Sequence, residues 1–422
     1  MAYKRICSAV LSALFVLAAC APQGDDKNPP PSPEISSSKE TPGGKKSPSS
    51  SSSPKEELFT TTATLDDVES FHSNSKFFVT VGDKNVITHT ANGTEVMRSG
   101  IERFKGGCIL AVVGSSPDSG LLIWGKVTEK PAAGLTPAMW TLSIVASDAK
   151  THEQRWSKPL IADSKESLGC RNPEETTVTK DEKWLAFDQW VIDLTDGTSR
   201  ALGDGIVPRA VGNYILVFDG VCANCLNGMK SLPVTDPATG RTIFSFSEHD
   251  AIGSLSDAPG KFDTSSDGST LFIARRMSGD PLSYALQSRS LATGKVNWEV
   301  KGVSYSGPIS QKVTLVEDAG VVIFPDLAAA DAKGVAPEGL QKELGLSLVD
   351  GKRLWGIPGL EVCAANPAGV AVETNNQLVV LDPRTGRQLA YTPDRTGCGQ
   401  PIGEYSYYSD DNALIRLLPT AE

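Results

Sequence analysis

The sequence predicts an all-β propeller, and three observations predict it. A short turn phrase recurs at intervals of roughly 35–60 residues, a second phrase recurs in phase with it, and no sustained 3.6-residue periodicity exists after residue 20. The clearest turn phrases are Leu291–Trp298 (LATGKVNW), Leu348–Trp355 (LVDGKRLW), Asp382–Leu389 (DPRTGRQL) and Asp236–Phe244 (DPATGRTIF). Weaker copies are Asp193–Arg200, Ser147–Trp156 and His89–Met97. Each joins two β-rich runs through Asn/Asp/Thr-Gly, a hairpin signal because Gly reaches positive φ without steric strain.

The second phrase is a polar turn followed by an apolar strand. It reads Ser116–Gly125, Thr179–Asp188, Ser265–Ala274, Val316–Pro325 and Tyr408–Leu417, with related forms at Val211–Asp219, Asn366–Glu373 and Asn74–Val81. Turn phrases number seven and polar-turn strands eight. The last copy, Tyr408–Leu417, has no turn phrase after it, and the first unit is expected to open near Phe77. This pattern reads as ring closure, with C-terminal strands completing a blade begun by N-terminal ones, which removes exposed sheet edges. Seven blades are expected, with eight as the alternative.

The N-terminus carries a separate signal. Lys4 and Arg5 precede an apolar run, Ile6–Leu17, which is too short to span a bilayer comfortably. Leu17-Ala18-Ala19-Cys20 then resembles a bacterial lipobox, whose Cys is diacylglyceryl-modified; the alternative is an ordinary secretory signal with an incidental Cys. Acylation of Cys20 with two or more chains would hold the chain stably on a membrane. Residues 21–57 are rich in Pro, Ser, Gly and Lys and too poor in apolar side chains to offset chain entropy, so they read as a disordered tether. The expected organisation is a signal peptide over 1–19, lipidated Cys20 and tether over 20–57, and a propeller over 58–422. This predicts an extracytoplasmic, membrane-anchored protein. A formal charge of −10 argues against a nucleic-acid partner, which needs clustered Lys and Arg.

The two phrases together resemble the pyrroloquinoline-quinone-like (quinoprotein-dehydrogenase-like) propeller repeats, whose consensus is roughly Ala-x-Asp-x-x-Thr-Gly-x-x-x-Trp. The resemblance covers most of residues 75–420. It implies a Trp or other bulky residue packed between neighbouring blades, a position filled by Trp156, Trp298 and Trp355. The lipobox and Ser/Pro tether are similar to those of surface lipoproteins of Gram-positive bacteria, particularly actinobacteria. Quinone-dependent members of the family carry a disulfide between adjacent cysteines and a Ca²⁺ site. No Cys-Cys pair exists here, and the calcium ligands have no counterpart by motif.

Six cysteines remain after Cys7 and Cys20, an even number in an oxidising compartment. Cys108, Cys170, Cys363 and Cys398 each follow a turn phrase, near the start of a blade's first strand. Cys363–Cys398 and Cys108–Cys170 are the expected pairs, with a Cys398–Cys108 link as an alternative. Cys222 and Cys225 sit in a hairpin loop and read as a loop-stapling disulfide. A redox pair or half a metal site are the other readings. The four histidines lack ligand spacing, and no helix N-terminus is expected there to lower a thiol pKa.

Catalytic signatures are absent. Gly302–Gly307 approaches a nucleophile elbow with its second Gly one residue late, and there is no H-E-x-x-H or phosphate loop. Asp267-Gly268 reads as a strand turn and not a calcium loop, and His152 stands where other turn phrases have Gly. No cofactor, metal or catalytic residue is expected. Two aromatic segments depart from the repeat and are the binding candidates: Tyr305, and the run containing Glu404, Tyr405, Tyr407 and Tyr408. The tyrosines equally suit filling of the closure seam. The expected function is a non-catalytic binding or interaction scaffold at the cell surface, with an unknown envelope protein or ligand as partner. The alternative is an exported enzyme using the propeller's central channel.

Overall fold

The computed structural model describes residues 58–105, 107–130, 139–161, 176–203, 206–219, 231–247, 262–276, 283–304, 313–326, 342–358, 361–374, 377–393, 395 and 397–420. They form eight four-stranded antiparallel sheets. Blade 1 spans Ser70–Gly100, blade 2 Gly107–Ile161, blade 3 Thr177–Ala201 and blade 4 Ile206–Ser247. Blade 5 spans Phe262–Ser304, blade 6 Thr314–Pro358 and blade 7 Glu361–Thr392. Blade 8 takes Gln400–Ile402, Tyr405–Tyr408 and Ala413–Arg416 from the C-terminal end and Thr61–Thr64 from the N-terminal end. First strands of several successive blades touch, so they line the centre and the fourth strands form the rim. The described residues contain no α-helix, only two 3-10 turns at Ile101–Phe104 and Glu317–Ala319.

Eight blades correct the expectation of seven. The turn phrase joins the third and fourth strands of a blade. In blade 8 those strands come from opposite ends of the chain, so no turn joins them, and seven phrases serve eight blades. Blade 1 is complete in itself: its first strand, Ser70–Ser73, lies before Phe77, and the sequence SFHS carries too little apolar signal to show it. Blade 8 closes through Thr61↔Ile415, Ala63↔Leu414 and Thr64↔Ala413, with the Thr62 hydroxyl donating to the Leu414 carbonyl at 3.1 Å.

The turn phrases share one hydrogen-bond pattern. In six of them the Gly (or His152) N–H donates to the carbonyl four residues earlier at 2.8–2.9 Å, as Gly386 does to Asp382. The residue that opens the turn donates back to the carbonyl just after the Gly, as Asp382 does to Arg387 at 2.8 Å. The loop is thus longer than a two-residue hairpin. An opening Asp also caps it: Asp382 Oδ1 accepts the Arg384 and Thr385 N–H groups at 2.8 and 3.0 Å. Burial pushes the Asp382 carboxyl up, and these bonds outweigh it and hold the group below its ordinary value.

The ring side chain four residues after the Gly reaches the next blade. Trp156, Trp298 and Trp355 donate their indole N–H to the carbonyls of Leu194, Leu348 and Pro383, each the second residue of the following blade's turn, at 3.1, 3.0 and 2.8 Å. The indole lies under that turn's Gly. A Cβ on Gly386 would sit 2.8 Å from the Trp355 ring, and φ there is +68°, so Gly is required twice over. Departures follow the same logic. Arg200 of blade 3 donates to the Pro237 carbonyl of blade 4 at 3.1 Å and takes the indole's place. Blade 7 has Ala390, because blade 8 has no such turn to dock on. Between blades 1 and 2 the position holds Met97, and the turn of blade 2 supplies its own ring. His152, at φ +56° and 1% exposed, bonds Thr88 Oγ1 of blade 1 through Nε2 at 2.8 Å and meets Phe104 edge-on.

Second strands are buried on both faces because each blade packs against two neighbours. Val321–Phe324, Val370–Val372 and Leu122–Ile123 are nearly or wholly inaccessible. Their apolar runs are therefore continuous and not alternating, unlike a half-solvated sheet.

Replacing Trp355 with Ala removes a 93%-buried ring and an indole bond, so a loss of about 3–5 kcal/mol is expected. Trp355→Phe keeps a phenyl ring but loses the indole's second ring and its hydrogen bond, so a smaller loss than with Ala is expected, about 1–3 kcal/mol. Denaturant titration of both variants checks the ranking. A pH effect follows from His152, whose pKa is lowered to about 4 by burial and then by the nearby Arg103 charge. The unfolded chain takes up a proton near the ordinary His value of 6.5 that the folded chain refuses until about 4. The His152 contribution to stability is therefore constant above that range and is lost as pH drops from 6.5 to 4, in the same direction as His72 and His89, which burial also lowers. His152→Asn, which tolerates the same backbone conformation, should lessen the slope of unfolding midpoint against pH in that window.

Candidate functional site

The closure seam holds four of the residues singled out from sequence. Tyr407 is 3% exposed, stacks on Phe71 of blade 1 at 4.6 Å and donates its hydroxyl to Asn412 Oδ1 at 2.6 Å. Tyr408 is buried, lies under the Arg395 guanidinium at 5.1 Å and donates to the Gly397 carbonyl at 3.1 Å. Burial pushes its phenol up to about 12. These two are core residues of the seam and not a contact surface. Leu65, Phe78, Ile402 and Leu414 complete the cluster around Tyr407, and Tyr405 packs at its edge. Glu404 pairs with Arg416 at 3.2 Å, and its backbone carbonyl accepts the Leu417 and Leu418 N–H groups. Tyr305, Cys20, Cys170, Cys222 and Cys225 lie outside the described residues.

Glu404 and Tyr405 also line a cavity of about 800 Å³ beside the seam, walled by turns between first and second strands of blades 6, 7, 8 and 1 and by the turn between the third and fourth strands of blade 1, at Thr90–Thr94. Its polar groups are largely committed to those turns. Glu317 accepts the Ser266 hydroxyl of blade 5 at 2.8 Å and also its backbone N–H. Asn366 accepts the Ala368 and Gly369 N–H groups at 2.8 and 2.9 Å and donates to the Pro419 carbonyl at 2.7 Å. Among the described residues no His or Cys lines the cavity, so it holds no nucleophile–base pair of those types.

Cys363, in the first strand of blade 7, and Cys398, just before the first strand of blade 8, are joined by a disulfide with Cα atoms 4.5 Å apart. Cys108 is disulfide-bonded as well. Cys398 Sγ lies within 4.8 Å of carboxylate oxygens of Glu361 and Glu373. Its sulfur is consumed by the disulfide, so the group offers no thiolate to a metal, and Glu373 already accepts the Gly397 N–H at 2.9 Å.

The rim of blades 6 and 7 differs from the rest of the described surface. The exposed large apolar side chains are all there: Val349 at 86%, Tyr391 at 59%, Leu354 at 47% and Leu389 at 42%. Leu354 and Leu389 occupy a β-bulge three residues after the turn Gly, where the fourth strand slips by one residue against the third. The bulge leaves its residue unpaired at the edge. In blades 2 and 5 the same place is polar, Arg155 and Asn297, and in blades 1 and 4 it holds Val96 and Ile243, which are half-buried where the two leucines are exposed. Sequence reasoning missed these residues: Gly+3 is apolar in blades 1 and 4 as well, so a Leu there gave no sign of its exposure. Lys352, Arg353, Arg384 and Arg387 stand in the same two segments as the leucines, all exposed.

No family model matches the chain, and no curated protein does either. Among solved structures it is similar to BamB from Moraxella catarrhalis, at 14% identity and a TM-score of 0.46 over 85% of this chain and 98% of that one. It is also similar to a eukaryotic initiation factor, at 10% identity and a TM-score of 0.45 over 82% and 79% of the two chains. The dihydro-heme d1 dehydrogenase NirN gives 14% identity and a TM-score of 0.43 over 85% and 74%. Likenesses this distant carry no argument about function; blade number and closure rest on the strand pairing of this chain.

The Cys363–Cys398 bridge closes a loop of 35 residues between two blades at the seam. Cys363→Ser with Cys398→Ser should cost roughly 3–4 kcal/mol by the loop-entropy relation. The drop in denaturation midpoint relative to the parent, and its disappearance when the parent is reduced first, check this.

Proposed function

We propose that this chain is an exported, lipid-anchored, non-catalytic scaffold, a quinoprotein-like propeller that holds a partner protein of the cell envelope on its rim. One observation carries the reading. The large apolar side chains exposed among the described residues are gathered on the outer strands and turn of two neighbouring blades. Exposed apolar clusters bordered by polar residues are typical of protein interaction sites. The supports around them are rigid: Trp355 ties blade 6 to the turn of blade 7, and the disulfide ties blade 7 to the segment leading into blade 8. Tyr391 brings a large, low-entropy ring to such a contact, the residue type enriched at binding hot spots.

The anchor is read from Leu17-Ala18-Ala19-Cys20 and the tether from residues 21–57, which lead into the closing strand Thr61–Thr64. In this reading acyl chains on Cys20 fix the protein at the membrane and the tether gives it reach. The cavity beside the seam lends no support to an enzyme, since its carboxylate and amide groups hold the turns together.

A photo-crosslinking residue at Tyr391, compared with one at exposed Thr195 on blade 3, tests the scaffold in cells. A defined protein adduct at 391, missing at 195 and abolished by Leu389→Glu, is expected. No adduct at 391, or the same adducts at both positions, sinks the reading. Cys20→Ala should move the protein out of the membrane fraction.

A further inference from the structure

We infer that the partner segment seated on the rim of blades 6 and 7 is acidic, an extended peptide stretch in which Glu or Asp alternates with apolar residues. This rests on the scaffold reading above and names the chemistry of its partner. The chain as a whole carries −10, so a partner held by general attraction to this protein would be basic. The apolar patch has the opposite local sign. The two segments that carry it, Ser347–Gly356 and Asp382–Tyr391, hold four cations against two carboxylates.

Both carboxylates are already engaged. Asp350 pairs with Lys352 at 2.6 Å, and its carboxyl is lowered to about 2 by the Lys352 ammonium and then by the Ser347 side chain. Asp382 accepts the N–H groups of its own turn. Arg384 donates to the Asp318 carbonyl at 2.9 Å, which fixes its position but leaves its charge uncompensated. Arg353 and Arg387 are exposed and in no ion pair among the described residues. Three guanidinium charges thus stand in the segments that carry Leu354, Leu389 and Tyr391 with no ion pair among the described residues, and the one carboxylate acting on them, Asp382 near Arg387, is held by its own turn. Guanidinium groups pair with carboxylates in a planar, bidentate manner, and complementary charge around an apolar contact sets register and selects among partners.

The test uses the full chain with Cys20→Ala and a set of short synthetic peptides that share the same Leu and Val positions. Glu, Lys or Ser occupies the alternate positions. The Glu peptide is expected to bind about tenfold tighter than the Ser peptide, and the preference to shrink as salt is raised. Arg353→Glu with Arg387→Glu should turn the preference toward the Lys peptide. Arg353→Gln with Arg387→Gln should remove it without reversal, which separates charge from any loss of folding. Equal binding of the three peptides, or a preference that survives charge reversal, overturns the proposal. So does charge-dependent flotation with phosphatidylglycerol vesicles in place of peptide binding, which would assign the patch to an anionic lipid surface. A specific crosslink at Tyr391 alongside indifference to peptide charge would reject the acidic partner and leave the scaffold standing. Absence of the crosslink rejects the scaffold itself.

Discussion

The propeller depends on one contact: a ring from the outermost strand of a blade lying under the glycine of the next blade's turn and bonding its second carbonyl. The contact is divided between two blades, so no single blade possesses it. Trp355 without the Pro383 carbonyl would leave its indole N–H buried and unpaired, and the Gly386 turn without Trp355 would overhang a void. Each repeat is thereby obliged to have a neighbour, the general condition of repeat architectures. Where the indole is missing, another group does the work. Arg200 keeps the same carbonyl acceptor position, and His152 reaches backward from the turn instead of being covered by it.

The same rule accounts for the seam. A blade made from both ends of the chain has no turn between its third and fourth strands, so the preceding blade has nothing to cover and carries Ala390. The missing contact is replaced by other means. Backbone pairing of Thr61–Thr64 with Ala413–Arg416 closes the sheet, and the Phe71–Tyr407 stack fills the space toward blade 1. The Cys363–Cys398 bridge ties the approach from blade 7. The tyrosines in this segment are there because the seam lacks an indole and needs apolar volume. Their hydroxyls find acceptors in Asn412 and Gly397, as buried phenols require.

Rigidity at the ring and variability at the bulge together explain how such a frame acquires a contact surface. The bulge is a by-product of the turn: one residue is displaced so that the next can present its ring to the neighbouring blade. Its side chain is turned outward and contributes little to the core, so its identity is unconstrained by packing. In blades 2 and 5 it is polar, in blades 1 and 4 it is a half-buried Val96 or Ile243, and in blades 6 and 7 it is an exposed leucine beside exposed arginine. The contact surface thus occupies positions that the fold requires to exist but does not require to be any particular residue.

Sequence by itself determined the all-β class, the repeat, the alternation of two turn types and the Trp positions, because turn chemistry is local: an Asp that caps and a Gly at positive φ must be written at fixed offsets. It also displayed eight polar-turn strands, yet the choice of seven blades followed the turn phrase, whose count falls one short for a reason visible only in the closed ring. Glu404, Tyr405, Tyr407 and Tyr408 stood out as aromatic-rich, and only packing showed that Tyr407 and Tyr408 are interior. Leu354, Leu389 and Tyr391 passed unnoticed because an isolated Leu or Tyr in a strand has the same letter whether it faces a core or water. Exposure is a property of neighbours brought together by the fold, and the pairing of distant strands, the seam and the rim patch all belong to that tertiary level.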